Sequence, residues 1–365
     1  MTIPSTMQAM VLTGHGGPEQ LKYQEVTVPT PSDDAVLIKV GACGLNNTDI
    51  NTRTAWYSEP VQDEVGEGSE TGFDDANNTD ASWGGHALPL PLIQGADVCG
   101  HIVAASDQDR VGERVLVDPW ILDPNQWCNP QTACYLGSEI NGGFAEYVVV
   151  PALNAITVDS PLSNAELATF PCAYTTAYHT LNRANLKHGE TVVITGASGG
   201  VGSAALQLAA LKECRIIALT SAHKQASILE LGASVVVDRC SDNIEAEIRA
   251  VAPNGVDVVI DTVAGDLLMP LLRTLRQGGR YSSCGSIAGA ITTIDLRQMV
   301  YRDLQLTGAT ICPPGTMQAI VALIEQGQLK PLLAAQYALS ELVQAQAAFV
   351  EKQHVGNIVV QPLTQ

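Results

Sequence analysis

The chain has 365 residues, 46% of them hydrophobic, which suits about two well-filled domains rather than a single core. A formal net charge of -19 argues against nucleic acid and anionic membranes as partners, because like charges repel. Neither a signal-like segment near Met1 nor an apolar run approaching the ~20 residues that cross a bilayer is present, and the nine cysteines form no tight framework. We therefore expect a cytoplasmic protein with reduced thiols, small-molecule ligands and no nucleic-acid or membrane partner.

The first 50 residues predict short strands of an all-β unit. Runs 7–12 and 35–40 are β-like, and glycines and prolines at 16–18 and 29–31 interrupt the pattern. The run 44–51, Gly-Leu-Asn-Asn-Thr-Asp-Ile-Asn, predicts a turn. Its short polar side chains either face a pocket or form an Asx-type turn and nothing more.

The segment 59–80 differs sharply in composition from its surroundings. It contains eight acidic residues and no Lys or Arg, which predicts either a solvated flexible excursion or a functional loop. Short strands with glycine corners then resume and complete a β-rich domain, at 88–93, 95–103, 112–117 and 142–150.

From Ser163 to Ala184 the pattern becomes helical, and Ser163 followed by Glu166 predicts a capping box. Strands and helices then alternate, which predicts right-handed crossovers and a doubly wound parallel sheet. The predicted strands are 192–195, 215–220, 234–237, 256–261 and 280–284, with helices from 201, from 224 and through 267–275, and the chain closes with a helix near 317–325 and a tail at 355–360.

Gly196, Gly199 and Gly202 lie between the predicted strand 192–195 and a helix. Glycines at such a strand-to-helix turn let the backbone approach a pyrophosphate, whose charge the N–H groups and dipole of the helix stabilise. The strand before and the helix after the glycines make the pattern far more specific than glycines alone. We therefore predict a dinucleotide site that includes Ser198, Gly199, Gly200, Val201 and Gly202.

In order and content these motifs resemble the medium-chain dehydrogenase/reductase superfamily, and most closely its zinc-free quinone oxidoreductase branch. The matching stretches are 44–49, 95–100, 112–115, 142–150, the glycine turn, 261–265 and 355–359. The resemblance implies an α/β protein with a GroES-like β-rich catalytic domain at 1–160, a Rossmann NADP-binding domain at 161–311 and a C-terminal return at 312–365. It also implies a substrate cleft between the domains and a homodimer or homotetramer.

Zinc-dependent alcohol dehydrogenases of that superfamily hold a catalytic metal with Cys, His and Cys. The matching positions here are Asn46, Ala96 and Cys172, so two of three ligands are absent. The structural zinc lobe of those enzymes uses four cysteines, whereas this chain has Cys128 and Cys134 in that region. We therefore predict a protein without zinc, in which Cys172 is a small buried residue.

The second strand of the predicted Rossmann domain ends at Thr220 without the acidic residue that selects NAD. Ser221 and Lys224 follow and favour the 2′-phosphate of NADPH, although Lys224 alone is equally typical of a solvated helix start. The resemblance adds Arg239 to the phosphate site. It implies further cofactor contacts from Asn46, Thr176, Val263, Ser286 and Asn357.

Without a metal, alcohol oxidation lacks its Lewis acid, whereas reduction of a quinone or an α,β-unsaturated carbonyl needs only hydrogen-bond donors for the developing enolate. Asn46, Thr48, Tyr57, Thr175 and Thr176 are candidate donors. In related enoyl-thioester reductases an Asn-x-Ser/Thr-Asp turn precedes, at this same spacing, a Tyr that supplies a proton. The resemblance therefore implies that Asn46 and Tyr57 are catalytic residues. The alternative is that Tyr57 is only an apolar lid.

An NADPH-dependent quinone or enone reductase is the function that these residues favour. An enoyl-thioester reductase is an alternative, which the acidic surface disfavours because it repels phosphate-bearing carriers. Two further alternatives are a non-catalytic dinucleotide-binding protein and a zinc-type alcohol dehydrogenase.

Overall fold

Two units make up the part of the chain that the computed structural model describes, residues 2–123 and 125–362. The first unit comprises residues up to Val61, Val65–Cys172 and the residues from Pro313 onward. The second comprises Gln62–Glu64 and Ala173–Cys312. Among the described residues, no helix combines the length and apolar character that a membrane span requires.

Strands form the sheets of the first unit and the central sheet of the second. In chain order the strands are β1 (Thr6–Leu12), β2 (Leu21–Thr27), β3 (Ala35–Gly44), β4 (Leu92–Ile93), β5 (Asp97–Ala105), β6 (Arg114–Val117), β7 (Trp120–Ile121), β8 (Cys134–Tyr135), β9 (Tyr147–Pro151), β10 (Ala155–Thr157), β11 (Thr191–Ile194), β12 (Arg215–Thr220), β13 (Val235–Asp238), β14 (Val256–Asp261), β15 (Leu275–Ser283), β16 (Gln305–Gly308), β17 (Leu333–Ala338) and β18 (Asn357–Gln361).

Helices connect the strands of the second unit, and the first unit also contains helices, both early in the chain and in its C-terminal part. In chain order the helices are α1 (Asn47–Thr54), α2 (Asn164–Leu167), α3 (Pro171–Arg183), α4 (Gly200–Ala210), α5 (Gln225–Glu230), α6 (Ile244–Val251), α7 (Leu268–Thr274), α8 (Leu296–Val300), α9 (Thr316–Glu325) and α10 (Leu342–Val350).

Strand β3 organises the first unit. Its residues are almost all buried, and it pairs antiparallel with β5, β9 and β18 in a sheet of order β10-β6-β5-β3-β18-β17. A second sheet has the order β2-β1-β4. Because β18 comes from the C-terminal tail, the tail completes the sheet that β3 begins. The unit has the β-rich GroES-like architecture that the sequence predicts.

The second unit is a six-stranded parallel sheet of order β13-β12-β11-β14-β15-β16. The order places the first strand next to the fourth, which is the doubly wound arrangement with a switch point beside β11. Within β11 and β14 the runs 192–194 and 258–260 are apolar and fully buried, as a parallel sheet covered by helices requires. The predicted Rossmann sheet is therefore confirmed.

Two helix starts depend on capping boxes. The prediction of a turn at 44–51 is wrong. Gly44 ends β3, two residues connect it to α1, and 47–51 are the first five residues of that helix. There the Asp49 carboxylate accepts a hydrogen bond from the Asn46 backbone N–H at 2.7 Å, which stabilises the helix start. The predicted capping box of Ser163 and Glu166 is confirmed, and it begins α2.

The acidic segment consists of hydrogen-bonded turns. The guanidinium of Arg53, whose residue is 1% exposed, donates to the backbone oxygens of Gly16 and Ser69, at 2.8 and 2.9 Å. The hydroxyl of Ser58 donates to the carboxylate of Asp80 at 2.6 Å. Residues 65–80 are thereby attached to the end of α1 within the first unit.

Candidate active site

The predicted catalytic residues lie in the first unit, in a group that we call the amide cluster: Asn46, Thr48, Asp49, Tyr57 and Asp97. Asn46 is the N-cap of α1, so Thr48 and Asp49 lie in the first turn of that helix. Asp97 is the first residue of β5 and lies opposite Gly44, the last residue of β3. The cluster therefore forms where β3 leads into α1 and β5 begins.

Asp97 joins three separate stretches of the first unit. Its carboxylate accepts a hydrogen bond from Asn46 Nδ2 at 2.9 Å through one oxygen, and from the backbone N–H of Cys172 at 2.7 Å through the other. The residue is 0% exposed. A buried carboxylate whose two oxygens both accept hydrogen bonds has little freedom to rotate. Asp97 is a site residue that sequence reasoning missed, because no local pattern relates it to Asn46.

The two carboxyl groups of the amide cluster are unusually basic. Burial raises the pKa of Asp49 to about 8, and the neighbouring charge of Asp97 acts in the same direction. Burial also raises the pKa of Asp97 to about 7, against the opposing effect of the hydrogen bonds from Asn46 and Cys172. Near neutral pH the cluster is therefore only partly ionised.

Tyr57, three residues after the end of α1, contacts the first turn of that helix. Its hydroxyl donates to Thr48 Oγ1 at 3.2 Å, and its ring meets that of Trp56 edge-on. Burial raises the pKa of the Tyr57 hydroxyl, and the charges of Cys172 and Asp49 add to the rise. The structure thus brings the Tyr57 hydroxyl to the turn that Asn46 caps. Because this hydroxyl has a polar partner, the role of proton donor suits Tyr57 better than the role of apolar lid.

The positions that match zinc ligands do not form a zinc site. Asn46, Ala96 and Cys172 offer one thiol where a catalytic zinc needs three protein ligands. Within residues 2–123 and 125–362, no group of three or more His, Cys, Asp or Glu side chains could hold a metal ion. This donor set does not fit a catalytic zinc. The prediction that Cys172 is buried is wrong, because the residue is partly exposed.

The lobe that carries Cys128 and Cys134 is held together by aromatic rings. Trp120 packs edge-on against Trp83 and Tyr135, with ring centroids 5.0 and 4.8 Å apart. Glu139 accepts from Trp83 Nε1 at 3.0 Å and from the Tyr135 backbone N–H at 2.9 Å. These contacts stabilise the lobe, and no sequence pattern predicts them.

The second unit contains the glycine turn as predicted. Strand β11 ends at Ile194, Gly199 is the N-cap of α4, and α4 begins at Gly200. Gly196 has φ +55°, and a side chain at Gly202 would collide with the backbone oxygen of Gly196. Glycine is therefore required at both positions to bring the helix N-terminus close to the strand. Ser198 and Val201 lie on the same turn.

The three residues predicted to bind the 2′-phosphate, Ser221, Lys224 and Arg239, follow the neighbouring strands β12 and β13. Lys224 is 6% exposed and its Nζ donates to Ser198 Oγ at 3.4 Å. The backbone N–H of Arg239 donates to the backbone oxygen of Thr220 at 2.9 Å. Burial and then the charge of Arg239 lower the pKa of the Lys224 ammonium, so the two cations repel each other. We call Lys224 and Arg239 the cation pair. Ser221, the N-cap of the short helix before α5, lies beside them.

The remaining predicted cofactor residues are dispersed. Val263 follows β14, and its backbone N–H donates to the Asp261 carboxylate at 2.9 Å. Ser286 follows β15 and begins a turn, in which the backbone N–H of Gly289 donates to the backbone oxygen of Ser286. Thr176 is half-buried on α3. Asn357 begins β18 in the first unit, where its Nδ2 donates to the Thr169 backbone oxygen at 3.2 Å.

Comparison with known proteins gives a consistent picture. The family models for the alcohol dehydrogenase GroES-like domain and for zinc-binding dehydrogenases match residues 32–160 and 200–326. The chain is 31% identical over 349 residues to a quinone oxidoreductase of Lama guanicoe, covering 93% of this chain and 92% of that protein. It is 25% identical over 365 residues to an acryloyl-coenzyme A reductase of Metallosphaera sedula, covering 97% and 99%. The crystal structure of a presumed alcohol dehydrogenase from Sinorhizobium meliloti 1021 is 41% identical, covers 99% of this chain and 98% of that one, and has a TM-score of 0.88.

Proposed function

The chain belongs to the medium-chain dehydrogenase/reductase superfamily, and we propose that it is an NADPH-dependent reductase of quinones or α,β-unsaturated carbonyls that needs no metal. The observation that carries this proposal is the amide cluster. Where zinc-dependent relatives have their first ligand, this chain has an amide held by a buried carboxylate. An amide N–H is a hydrogen-bond donor for a developing enolate, not a ligand for zinc.

The choice of NADPH is supported by the cation pair. Ser221, Lys224 and Arg239 fit a 2′-phosphate, whose negative charge would relieve the repulsion between the two cations. The ribose-binding acid that selects NAD is absent from the end of β12. When bound, the nicotinamide supplies the hydride.

We assign the remaining chemistry to two residues of the first unit. Asn46 Nδ2 donates to the substrate oxygen as negative charge develops there, and the Tyr57 hydroxyl gives its proton to the α-carbon of the enolate. Thr48 orients Tyr57 through the hydrogen bond of 3.2 Å. A quinone needs less help, because its reduced oxygens take protons from water.

Reduction of an acyl-coenzyme A thioester is the second candidate function. It is favoured by the similarity to the acryloyl-coenzyme A reductase and by the spacing of Asn46 and Tyr57. It is disfavoured by the acidic segment, whose eight carboxylates begin two residues after Tyr57 and would repel the phosphates of coenzyme A.

The decisive experiment follows NADPH and NADH oxidation with a quinone, an enone, acryloyl-coenzyme A and an aldehyde. We expect turnover of the quinone or the enone with NADPH preferred. Turnover of acryloyl-coenzyme A alone would establish the second candidate, and turnover of the aldehyde alone would favour an alcohol dehydrogenase. Tight NADPH binding with no turnover of any substrate would indicate a non-catalytic protein.

We also propose that the protein is a cytoplasmic homodimer or homotetramer with neither nucleic acid nor membrane as a partner. Strand β16 lies at one edge of the parallel sheet, and α8, the helix before it in the chain, leaves large apolar side chains exposed, Leu296 at 61% and Val300 at 59%. An exposed strand edge with apolar neighbours is a surface suited to pairing with a second copy. Light scattering should give two or four times the chain mass of 38.5 kDa, and a monomer would contradict the proposal.

A further inference from the structure

We infer that Asp97 is a positioning residue, which selects the orientation of the Asn46 amide and so decides whether a donor or an acceptor faces the substrate. The inference rests on the role proposed above for Asn46. No sequence motif assigns a function to Asp97, which lies 51 positions from Asn46 in the chain.

An isolated Asn side chain has nearly the same shape in its two amide orientations. Its nitrogen carries two N–H donors, whereas its oxygen only accepts. In its ionised form, which accepts through both oxygens as seen here, the Asp97 carboxylate bonds the nitrogen and rejects the oxygen of Asn46. One N–H of Nδ2 is thereby engaged by Asp97, and the other is directed away from it as the donor for a substrate oxygen. In the reversed orientation the amide oxygen would repel a developing enolate.

The backbone around Asp97 prevents the carboxylate from moving away. Its second oxygen is held by the Cys172 N–H at 2.7 Å. Opposite it in the sheet lies Gly44, where a Cβ would collide with the Ala168 backbone oxygen and would come within 3.1 Å of the Asp97 carboxylate. Glycine at this position therefore makes the room that the carboxylate occupies. Three neighbours thus define a single place for the carboxylate, and through it a single orientation for the amide.

A double-mutant cycle tests the inference. Asn46→Ala, Asp97→Asn and the double variant are compared with wild type for kcat and KM on an enone. Asp97→Asn keeps the size of the side chain but lets it donate to the Asn46 oxygen, which reverses the amide. We expect each single variant to lower kcat at least about 10-fold with little change in substrate KM. The double variant should be within about 2-fold of the worse single variant, because both remove the same donor.

Asp118→Asn is the matched control. Asp118 accepts a hydrogen bond from the Trp120 backbone N–H at 3.1 Å, and burial raises its pKa to about 6, but it does not belong to the amide cluster. We expect this variant to keep the kcat of wild type. Asp97→Ser, which removes the carboxylate without adding an amide, is made in parallel. The cycle is interpreted with whichever Asp97 variant keeps the unfolding temperature within about 5 °C of wild type.

The outcomes separate this inference from the proposed function. If the losses of the two single variants multiply in the double variant, Asp97 does not act through Asn46 and the inference is wrong, while the proposed function stands. Unfolding of both Asp97 variants would assign Asp97 to stability alone and would also overturn the inference. If Asn46→Ala keeps full turnover of the enone, the role of Asn46 in the proposed function fails, and the inference fails with it.

Discussion

The amide cluster of the first unit contains buried carboxyl groups, whereas the cation pair of the second unit contains two cations. The two groups are also assembled differently along the chain. The cation pair joins two positively charged residues that follow the neighbouring strands β12 and β13 and lie 15 positions apart in the chain. The amide cluster joins two buried carboxyl groups from distant parts of the chain. The cation pair thus depends on two adjacent strands that are close in sequence, whereas the amide cluster depends on contacts between distant parts of the chain.

The largest expected effect tests the cation pair. Replacing both Lys224 and Arg239 by Ala should weaken NADPH binding by roughly 1–3 kcal/mol for each lost charged hydrogen bond, and should leave NADH binding nearly unchanged. Titration of cofactor fluorescence measures both dissociation constants. Arg215→Ala, at the opposite end of β12, is the matched control and should change neither constant. Equal weakening of the two cofactors would remove the cation pair from the 2′-phosphate site.

The second prediction tests the amide cluster through its tyrosine. Tyr57→Phe keeps the ring contact with Trp56 and removes only the hydroxyl. We expect at least about a 10-fold loss of turnover on enones, a smaller loss on quinones and unchanged NADPH affinity. Tyr23→Phe, on an exposed strand, is the control. Full enone turnover by Tyr57→Phe would instead assign Tyr57 to packing.

The third prediction sharpens the comparison through stability. The raised pKa values mean that Asp49 and Asp97 bind protons in the folded state at pH values where the unfolded carboxyls are ionised. The stability that these two groups contribute should therefore be greatest below about pH 4 and should fall as the pH rises through 7 and 8, by up to about 1.4 kcal/mol per pH unit for each group. Asp97→Asn removes one of the groups and should flatten this dependence in thermal unfolding between pH 5 and 8. An unchanged slope in that variant would show that the carboxyl titrates normally.

The smallest expected effect is the response to metal removal. Because Asn46 and Ala96 replace two zinc ligands, purified protein should contain no stoichiometric zinc, and chelators should leave turnover unchanged. Metal analysis measures the first point and an assay after dialysis the second. About one zinc per chain would contradict the prediction, and would require ligands other than the side chains at positions 46, 96 and 172.

Several features of the protein could be predicted because their signals are local. The apolar runs of β11, β12 and β14, the glycines between β11 and α4, and the capping box of Ser163 each depend on neighbours a few positions away. The start of α1 has a local signal too, since Asn46 followed three positions later by Asp49 is a capping pattern. The prediction of a turn there is wrong because short polar side chains favour both structures.

What the sequence by itself determined, then, is the order of strands, helices and turns and the identity of the cofactor-binding motif, because hydrophobic period and glycine spacing act over a few residues. Only the tertiary structure decided which side chains stand beside one another in the amide cluster. Asp97 meets Asn46 across 51 positions and Cys172 across 75, by way of β3 and β5 pairing at Gly44. Such contacts follow from strand register and burial, and no short stretch of sequence encodes either of them.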